Sequence, residues 1–265
     1  MIRSAPFLRA YRAFPHWLVN GVAMTVARQT RPQRLVDAAV RAWIAREAID
    51  MRDFEDGPFE SLEHFFLRRL KPGARPLGAG FVAPVDGCVV GLGTIERGTI
   101  LQVKGTDLSI DRLVNGRLFD RRLDDFEGGT YVTLFLRPRG YHYVHAPEDL
   151  VVDDVRFIPG RFYPQNEDAL QHIPGIYEKN ERAVLSVRLE RAGRHIPAIL
   201  VMVGASVVGG IHVRDVGPKK KGDELGHFSF GSTVVVLLPK DASGKLTVAL
   251  GQELQMGHAL FEARE

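Results

Sequence analysis

The sequence has a single cysteine, Cys88, so no intrachain disulfide framework can form, and a reducing compartment fits. Long apolar runs are also missing. The longest early one, residues 17–27, is broken by Asn20, Gly21 and Thr25, and at about 11 residues it is too short to span a bilayer. No signal-peptide pattern opens the chain. No cluster of histidine, cysteine and glutamate has the spacing of a metal site, so no metal is expected. Repeats and low-complexity tracts are absent. The G-x-S-x-G elbow of many hydrolases is absent too, because Val234 stands where its second glycine would be.

What remains is an ordinary globular composition, 45% hydrophobic and 25% charged over 265 residues, enough for one good core with a short appendage. The net charge of +3 is unevenly placed. Residues 1–50 hold Arg3, Arg9, Arg12, Arg28, Arg31, Arg34, Arg41 and Arg46 against only Asp37, Glu47 and Asp50. The positive excess therefore belongs to one end, and no nucleic-acid partner is expected.

That end reads as helical. Leu35, Ala39 and Trp43 recur at i, i+4 and i+8, with Val36, Val40 and Ile44 beside them, making one apolar stripe. The stripe could cap the core or lie on an anionic membrane, where each nearby arginine contributes about 1 kcal/mol. Phe14, Trp17 and Trp43 suit the second use. Residues 53–80 are a connection anchored by Phe54, Phe59, Phe65 and Phe66, with a rigid turn over 71–76. From Gly80 onward, short β-runs at 88–92, 100–103, 131–136, 184–189, 198–203 and 234–238 alternate with glycine turns. The expected fold is α+β: N-terminal membrane-associating helices over 1–52, then a mainly antiparallel β barrel or sandwich over 53–265. The turns at 84–89 and 219–226 look like those of lipoyl- and biotinyl-type domains.

Three stretches carry candidate chemistry. Asp86 lies in the tight turn Pro84-Val85-Asp86-Gly87, where a plain Asx-type turn is the simpler use. His142 and His145 belong to Tyr141-His142-Tyr143-Val144-His145. In an extended segment they would project from opposite faces, whereas in a turn they could converge. A histidine suits general-base work because its ordinary pKa lies near neutral. In Phe230-Gly231-Ser232-Thr233 the serine oxygen could attack the preceding carbonyl if a base took its proton, although a Gly-Ser turn entering a strand explains the same residues.

Taken in order, these pieces resemble the phosphatidylserine decarboxylase family of bacterial proenzymes. The likeness runs from Phe65 to Leu238. It comprises the run from Phe65 to Pro76, Pro84-Val85-Asp86-Gly87, Leu101-Gln102-Val103-Lys104-Gly105, Tyr141-His142-Tyr143-Val144-His145, Asn180-Glu181-Arg182, Val203-Gly204-Ala205, the run from Gly222 to Phe228, and Phe230-Gly231-Ser232-Thr233. Phe230 replaces the leucine of the usual Leu-Gly-Ser-Thr, and Gly140 stands where an aspartate often precedes the Tyr-His motif.

The resemblance implies a self-cleavage triad of Asp86, His145 and Ser232, with His142 handling substrate during decarboxylation. Ser232 would attack the Gly231 carbonyl, the ester would eliminate, and residue 232 would become a pyruvoyl group. The products would be a β chain, 1–231, and an α chain, 232–265, held together as a heterodimer, with higher assembly left open. The covalent pyruvoyl group, the only cofactor implied, would form a Schiff base with phosphatidylserine and release phosphatidylethanolamine. The resemblance also implies a peripheral location on the cytoplasmic side of the cell membrane, docked to its anionic surface.

Three other readings stay open. One is a non-catalytic carrier module, for which Lys221 is poorly placed beside Gly222 and Asp223. The second is pyruvoyl chemistry on another serine-headed lipid. The third is a metal hydrolase using His142, His145 and Asp86.

Overall fold

The computed structural model describes residues 16–101, 107–116, 123–165, 167–191, 193–205, 210–242 and 244–262. Arg3, Arg9, Arg12, Phe14 and residues 102–105 of one quoted motif lie outside the described residues, as does the side chain of Trp17. The chain begins with helices α1 (His16–Ala27), α2 (Gln33–Glu47) and α3 (Leu62–Phe66). There follow β1 (Gly87–Thr94), β2 (Thr99–Leu101), β3 (Asp107–Ser109), α4 (Ile110–Val114), β4 (Thr130–Leu136), β5 (Tyr143–His145) and β6 (Leu150–Ile158). Next are α5 (Glu167–His172), α6 (Ile176–Lys179), β7 (Arg182–Arg191), β8 (Arg194–Gly204) and β9 (Gly210–Val213). The last elements are β10 (Gly217–Lys219), β11 (Glu224–Ser229), β12 (Ser232–Leu238) and β13 (Glu253–Leu254). Most of the apolar runs read as strands fall inside β1, β4, β7, β8 and β12.

Eight strands form one antiparallel sheet in the order β10-β6-β7-β8-β12-β4-β1-β13. Its end strands, β10 and β13, do not pair with each other, so the barrel alternative is not realised and the sheet stays open. A second sheet, β5-β11-β9, covers one face, and the pair β2-β3 stands apart.

Strand β12 explains its own sequence. Val234, Val236 and Leu238 enter the core under the three-stranded sheet with Val144, Leu225 and Phe228. Val235 and Leu237 enter the opposite core with Leu113, Phe126 and Tyr177. A strand buried on both faces has no polar side, and hence the unbroken run of valines and leucines. The chain passes directly from β11 in the small sheet to β12 at the centre of the large one, through Phe230 and Gly231.

Helix α2 spends much of its apolar stripe on the protein itself. Val36 and Val40 are buried with Ile49 and Phe65, and Trp43 and Ile44 pack beside them. Val22, Val26 and Leu35 remain outward. An Arg28–Glu63 ion pair of 2.9 Å ties the end of α1 to α3. No described helix is long and apolar enough to cross a membrane.

Candidate active site

Backbone hydrogen bonds gather three distant stretches of sequence around β5. The His145 N–H donates to Pro84 O, the Ala146 N–H to Asp223 O and the Gly222 N–H to Ala146 O, each at 2.8 Å. The Phe228 N–H donates to His142 O at 3.1 Å. The Asp86 turn, the two-histidine strand and the 222–228 segment are thus neighbours. On its other side, Gly226 lets β11 lie close against β9, since a Cβ there would sit 2.2 Å from His212 O.

Because this strand is extended, its side chains alternate. Tyr141, Tyr143 and His145 share one side, with Tyr141 stacked on both at centroid distances of 5.1 and 5.6 Å. His142 and Val144 face the other way, Val144 into the core and His142 onto Phe66 at 3.9 Å. The two histidines therefore diverge.

Their hydrogen bonds diverge as well. A carbonyl can only accept, so His145 Nδ1 donates to Gly222 O at 2.8 Å, and Nε2 accepts from the Tyr141 hydroxyl at 2.9 Å. Burial lowers the His145 pKa, opposed by the Gly222 bond and by the charges of Glu224 and Asp86. His142 Nδ1 donates to Gly140 O at 3.1 Å, while its Nε2 is buried with no partner. Burial, with the nearby Arg68 charge, pushes His142 down to about 3. At neutral pH it is an uncharged ring with a bare Nε2 lone pair.

Asp86 is engaged elsewhere. Arg75 grips its carboxylate in a fork, with the closest contact at 2.7 Å, and the Met256 N–H donates to Oδ1 at 2.8 Å. Both side chains are nearly enclosed, at 5% and 13% exposure, and Arg75 also reaches Asp53 at 2.7 Å. Among the described residues, no hydrogen bond joins Asp86 to His145 or His145 to Ser232. The structure brings Asp86 and His145 onto adjoining segments without forming the linear triad.

Ser232 opens β12, paired with Leu136 on one side and Gly204 on the other. It is fully buried, and its Oγ has no hydrogen-bond partner. The two residues before it, Phe230 at φ +73° and Gly231 at φ +55°, are both left-handed. Glycine accepts that conformation freely, whereas phenylalanine bears a cost of about 1–2 kcal/mol. Phe230 is held there by stacking on Phe66 at 4.4 Å and on Trp43 of α2 at 5.8 Å. Phe66 touches both Phe230 and His142, so His142 is the histidine on the side of the Gly231–Ser232 corner.

Sequence reasoning missed the supports behind this corner. The Thr233 hydroxyl donates to Gln165 Oε1 at 2.7 Å, and Gln165 and Asn180 both donate side-chain N–H groups to Gly204 O at 2.8 Å. Asn180 and Gly204 lie in motifs quoted above. Gln165 sits in an irregular loop with no periodic signal. Arg68, also unpredicted, is buried and donates to the carbonyls of Arg139 and Gly140, fixing the turn that holds His142. Burial lowers the Arg68 pKa to about 10, opposed by the charge of Asp86, so it remains a cation at neutral pH.

The phosphatidylserine decarboxylase family profile matches residues 62–262. Among curated proteins, the phosphatidylserine decarboxylase proenzyme of Brevibacillus brevis is 35% identical over 84% of this chain and 86% of its own length. The proenzyme of that name from Delftia acidovorans is 34% identical, over 85% of this chain and 89% of its own. The one from Pseudomonas putida is 32% identical, over 98% of this chain and 99% of its own. The matched span contains the Asp86 turn, both histidines and the Gly231–Ser232 corner, and the chain belongs to the phosphatidylserine decarboxylase family.

Proposed function

We propose that this chain decarboxylates phosphatidylserine to phosphatidylethanolamine in phospholipid synthesis, after cutting itself between Gly231 and Ser232. The observation that carries the reading is the Ser232 Oγ. It is buried, bonded to nothing, and follows a left-handed glycine at a corner where the chain changes sheets. A serine in such a place has no structural use for its hydroxyl.

In self-cleavage, Oγ gives its proton to a base and attacks the Gly231 carbonyl carbon, breaking the C–N bond and leaving an ester. Loss of the residue-232 α-proton then expels the Gly231 carboxylate and leaves a dehydroalanine, whose imine tautomer would take up water and release ammonia to give the pyruvoyl ketone. His145 is the base that the family likeness favours, and its Nε2 lone pair would have to exchange the Tyr141 hydroxyl for Ser232. A second reading follows from the unpartnered Nε2 of His142 and its contact, through Phe66, with Phe230. There His142 takes the proton, and His145 with Tyr141 holds the 222–228 segment in place. Asp86, held by Arg75 and Met256, keeps the C-terminal segment against the β5 side of the site.

Residue 232 is also suited to hold a pyruvoyl group, because it is enclosed between β4 and β8 and no side chain requires its hydroxyl. Such a group supplies an electrophilic carbonyl and an acceptor for the electron pair left when carbon dioxide departs. Thr233, anchored by Gln165, and Gly204, anchored by Asn180, fix the backbone on both sides of that position. In this reading His142 would first take up a proton on its Nε2 lone pair and then pass it to the product carbon. The buried side chains of β12 stabilise its docking by about 10 kcal/mol in apolar burial, so a 232–265 chain stays in place without its covalent link.

Membrane docking falls to α1 and α2. Val22, Val26 and Leu35 are exposed apolar groups there, and Arg31, Arg34 and Arg41 are exposed cations. The reading is tested by supplying phosphatidylserine in mixed micelles and following phosphatidylethanolamine. Product formation that hydroxylamine, a carbonyl reagent, abolishes is expected. Turnover untouched by hydroxylamine would contradict the pyruvoyl assignment.

A further inference from the structure

A cavity of about 210 Å³ opens beside the Tyr-His motif, with Asp86, Arg137, Arg139 and Glu253 among its lining residues and Gly140 in its wall. Two of these charges cancel: Arg137 pairs with Glu253 at 2.6 Å. Asp86 is neutralised from outside the cavity by Arg75 at 2.7 Å. Arg139 alone has no carboxylate partner among the described residues. The cavity thus carries one uncompensated positive charge.

The mount of that charge is rigid. The Gly140 N–H donates to Arg137 O at 2.8 Å, closing a tight turn over 137–140. The buried Arg68 guanidinium donates to the carbonyls of Arg139 and Gly140, and Gly140 O also accepts from His142 Nδ1. The turn follows directly on Leu136, the β4 residue paired with Ser232. Arg139 therefore stands three residues from the partner of the reacting position and three from His142.

We propose that Arg139 binds the phosphodiester of the lipid headgroup and so sets where the serine moiety lies relative to residue 232. The proposal rests on the decarboxylase reading above. The headgroup carries two anions, and reaction physics chooses between them. A cation on the carboxylate would stabilise a charge that must disappear, deepening the ground state and slowing the reaction. A cation on the phosphodiester interacts equally before and at the transition state, so it strengthens binding without touching the chemical step. Arginine's planar fork also matches two phosphate oxygens.

The test compares wild type with Arg139→Gln on dihexanoyl phosphatidylserine below its micelle concentration, where no membrane surface contributes. The variant is expected to self-cleave, to raise KM by about 10- to 100-fold, the range for losing a charged hydrogen bond, and to keep kcat within about threefold. Arg139→Lys should recover part of the KM. An unchanged KM in Arg139→Gln, or a loss confined to kcat, overturns the proposal. A wild type that cleaves itself yet leaves this lipid untouched sinks the decarboxylase reading instead. If Arg139→Gln fails to self-cleave, inhibition of wild type and Arg139→Lys by glycerophosphoserine and by O-methylserine decides. Selective weakening of the phosphodiester compound in Arg139→Lys upholds the proposal, and equal inhibition of both proteins by both compounds overturns it.

Discussion

Replacing Asp86 by asparagine removes the charge against which Arg75 is buried. Arg75 is 5% exposed and Asp86 13%, and the carboxylate accepts the guanidinium fork and the Met256 N–H together. An asparagine keeps one oxygen for Arg75 Nε and the Met256 N–H but puts an amide NH2 where Oδ2 stood, so the 2.7 Å bond from Arg75 Nη2 is lost with the charge. Breaking a fully buried pair costs about 3–5 kcal/mol. Arg75 keeps Asp53, which is 47% exposed and a weaker partner, so the expected loss is about 2–3 kcal/mol. The assay is urea unfolding in a Ser232→Ala background, where the chain stays whole, for Asp86→Asn, Arg75→Gln and the double variant. A coupling of about 2 kcal/mol is expected, since either single change already breaks the pair. In the cleavable chain, Arg75→Gln should slow self-cleavage about as much as Asp86→Asn, because the carboxylate acts by holding the C-terminal segment. Coupling below about 0.5 kcal/mol, together with normal cleavage in Arg75→Gln and none in Asp86→Asn, would refute this and return Asp86 to direct work on His145.

His142→Ala should self-cleave at least in part while losing turnover, and His145→Ala should not self-cleave. Efficient cleavage by His145→Ala with failure in His142→Ala, seen by denaturing electrophoresis, would transfer the base role to His142. His142 also makes folding sensitive to acid. Its folded pKa of about 3 lies below the value of about 6.5 for a free histidine, so the stability it contributes is complete above about pH 6.5 and is lost as pH falls toward 3. Unfolding of the Ser232→Ala chain should therefore lose up to about 1.4 kcal/mol per pH unit below pH 6, and His142→Leu should flatten that slope. An unchanged slope would mean that the ring is not held neutral. Trp43→Ala removes the α2 contact with Phe230, Phe65 and Phe66 and should cost about 2 kcal/mol while weakening liposome binding. Wild-type liposome affinity in that variant would separate α2 from membrane docking.

The strands were legible because their physics is local. In β12 a short unbroken apolar run with β-branched residues has few alternatives, and burial on both faces accounts for it. The helical stripe of α2 was legible too, but not its use: the sequence could not show that Val36 and Val40 would be covered by Phe65. Openness of the sheet was hidden, since strand order depends on which distant strands pair. Within the site, Ser232, His142 and His145 stood out as residue types with chemistry. The position of Asp86 stood out as well, whereas its partner did not, because Arg75 reads in sequence as one cation in a proline-rich turn. The separation of the two histidines follows from alternation along an extended strand, one of the two outcomes that their spacing allowed. Gln165 was invisible: it acts through one hydroxyl and one carbonyl brought to it only by the fold.

The mass of the purified, denatured protein tests the central claim most directly. Two chains are expected, one ending at Gly231 and the other beginning with a residue 232 that has lost its amine and gained a ketone. A catalytically active preparation consisting of one chain near 29.5 kDa, with an unaltered serine at 232, would contradict it.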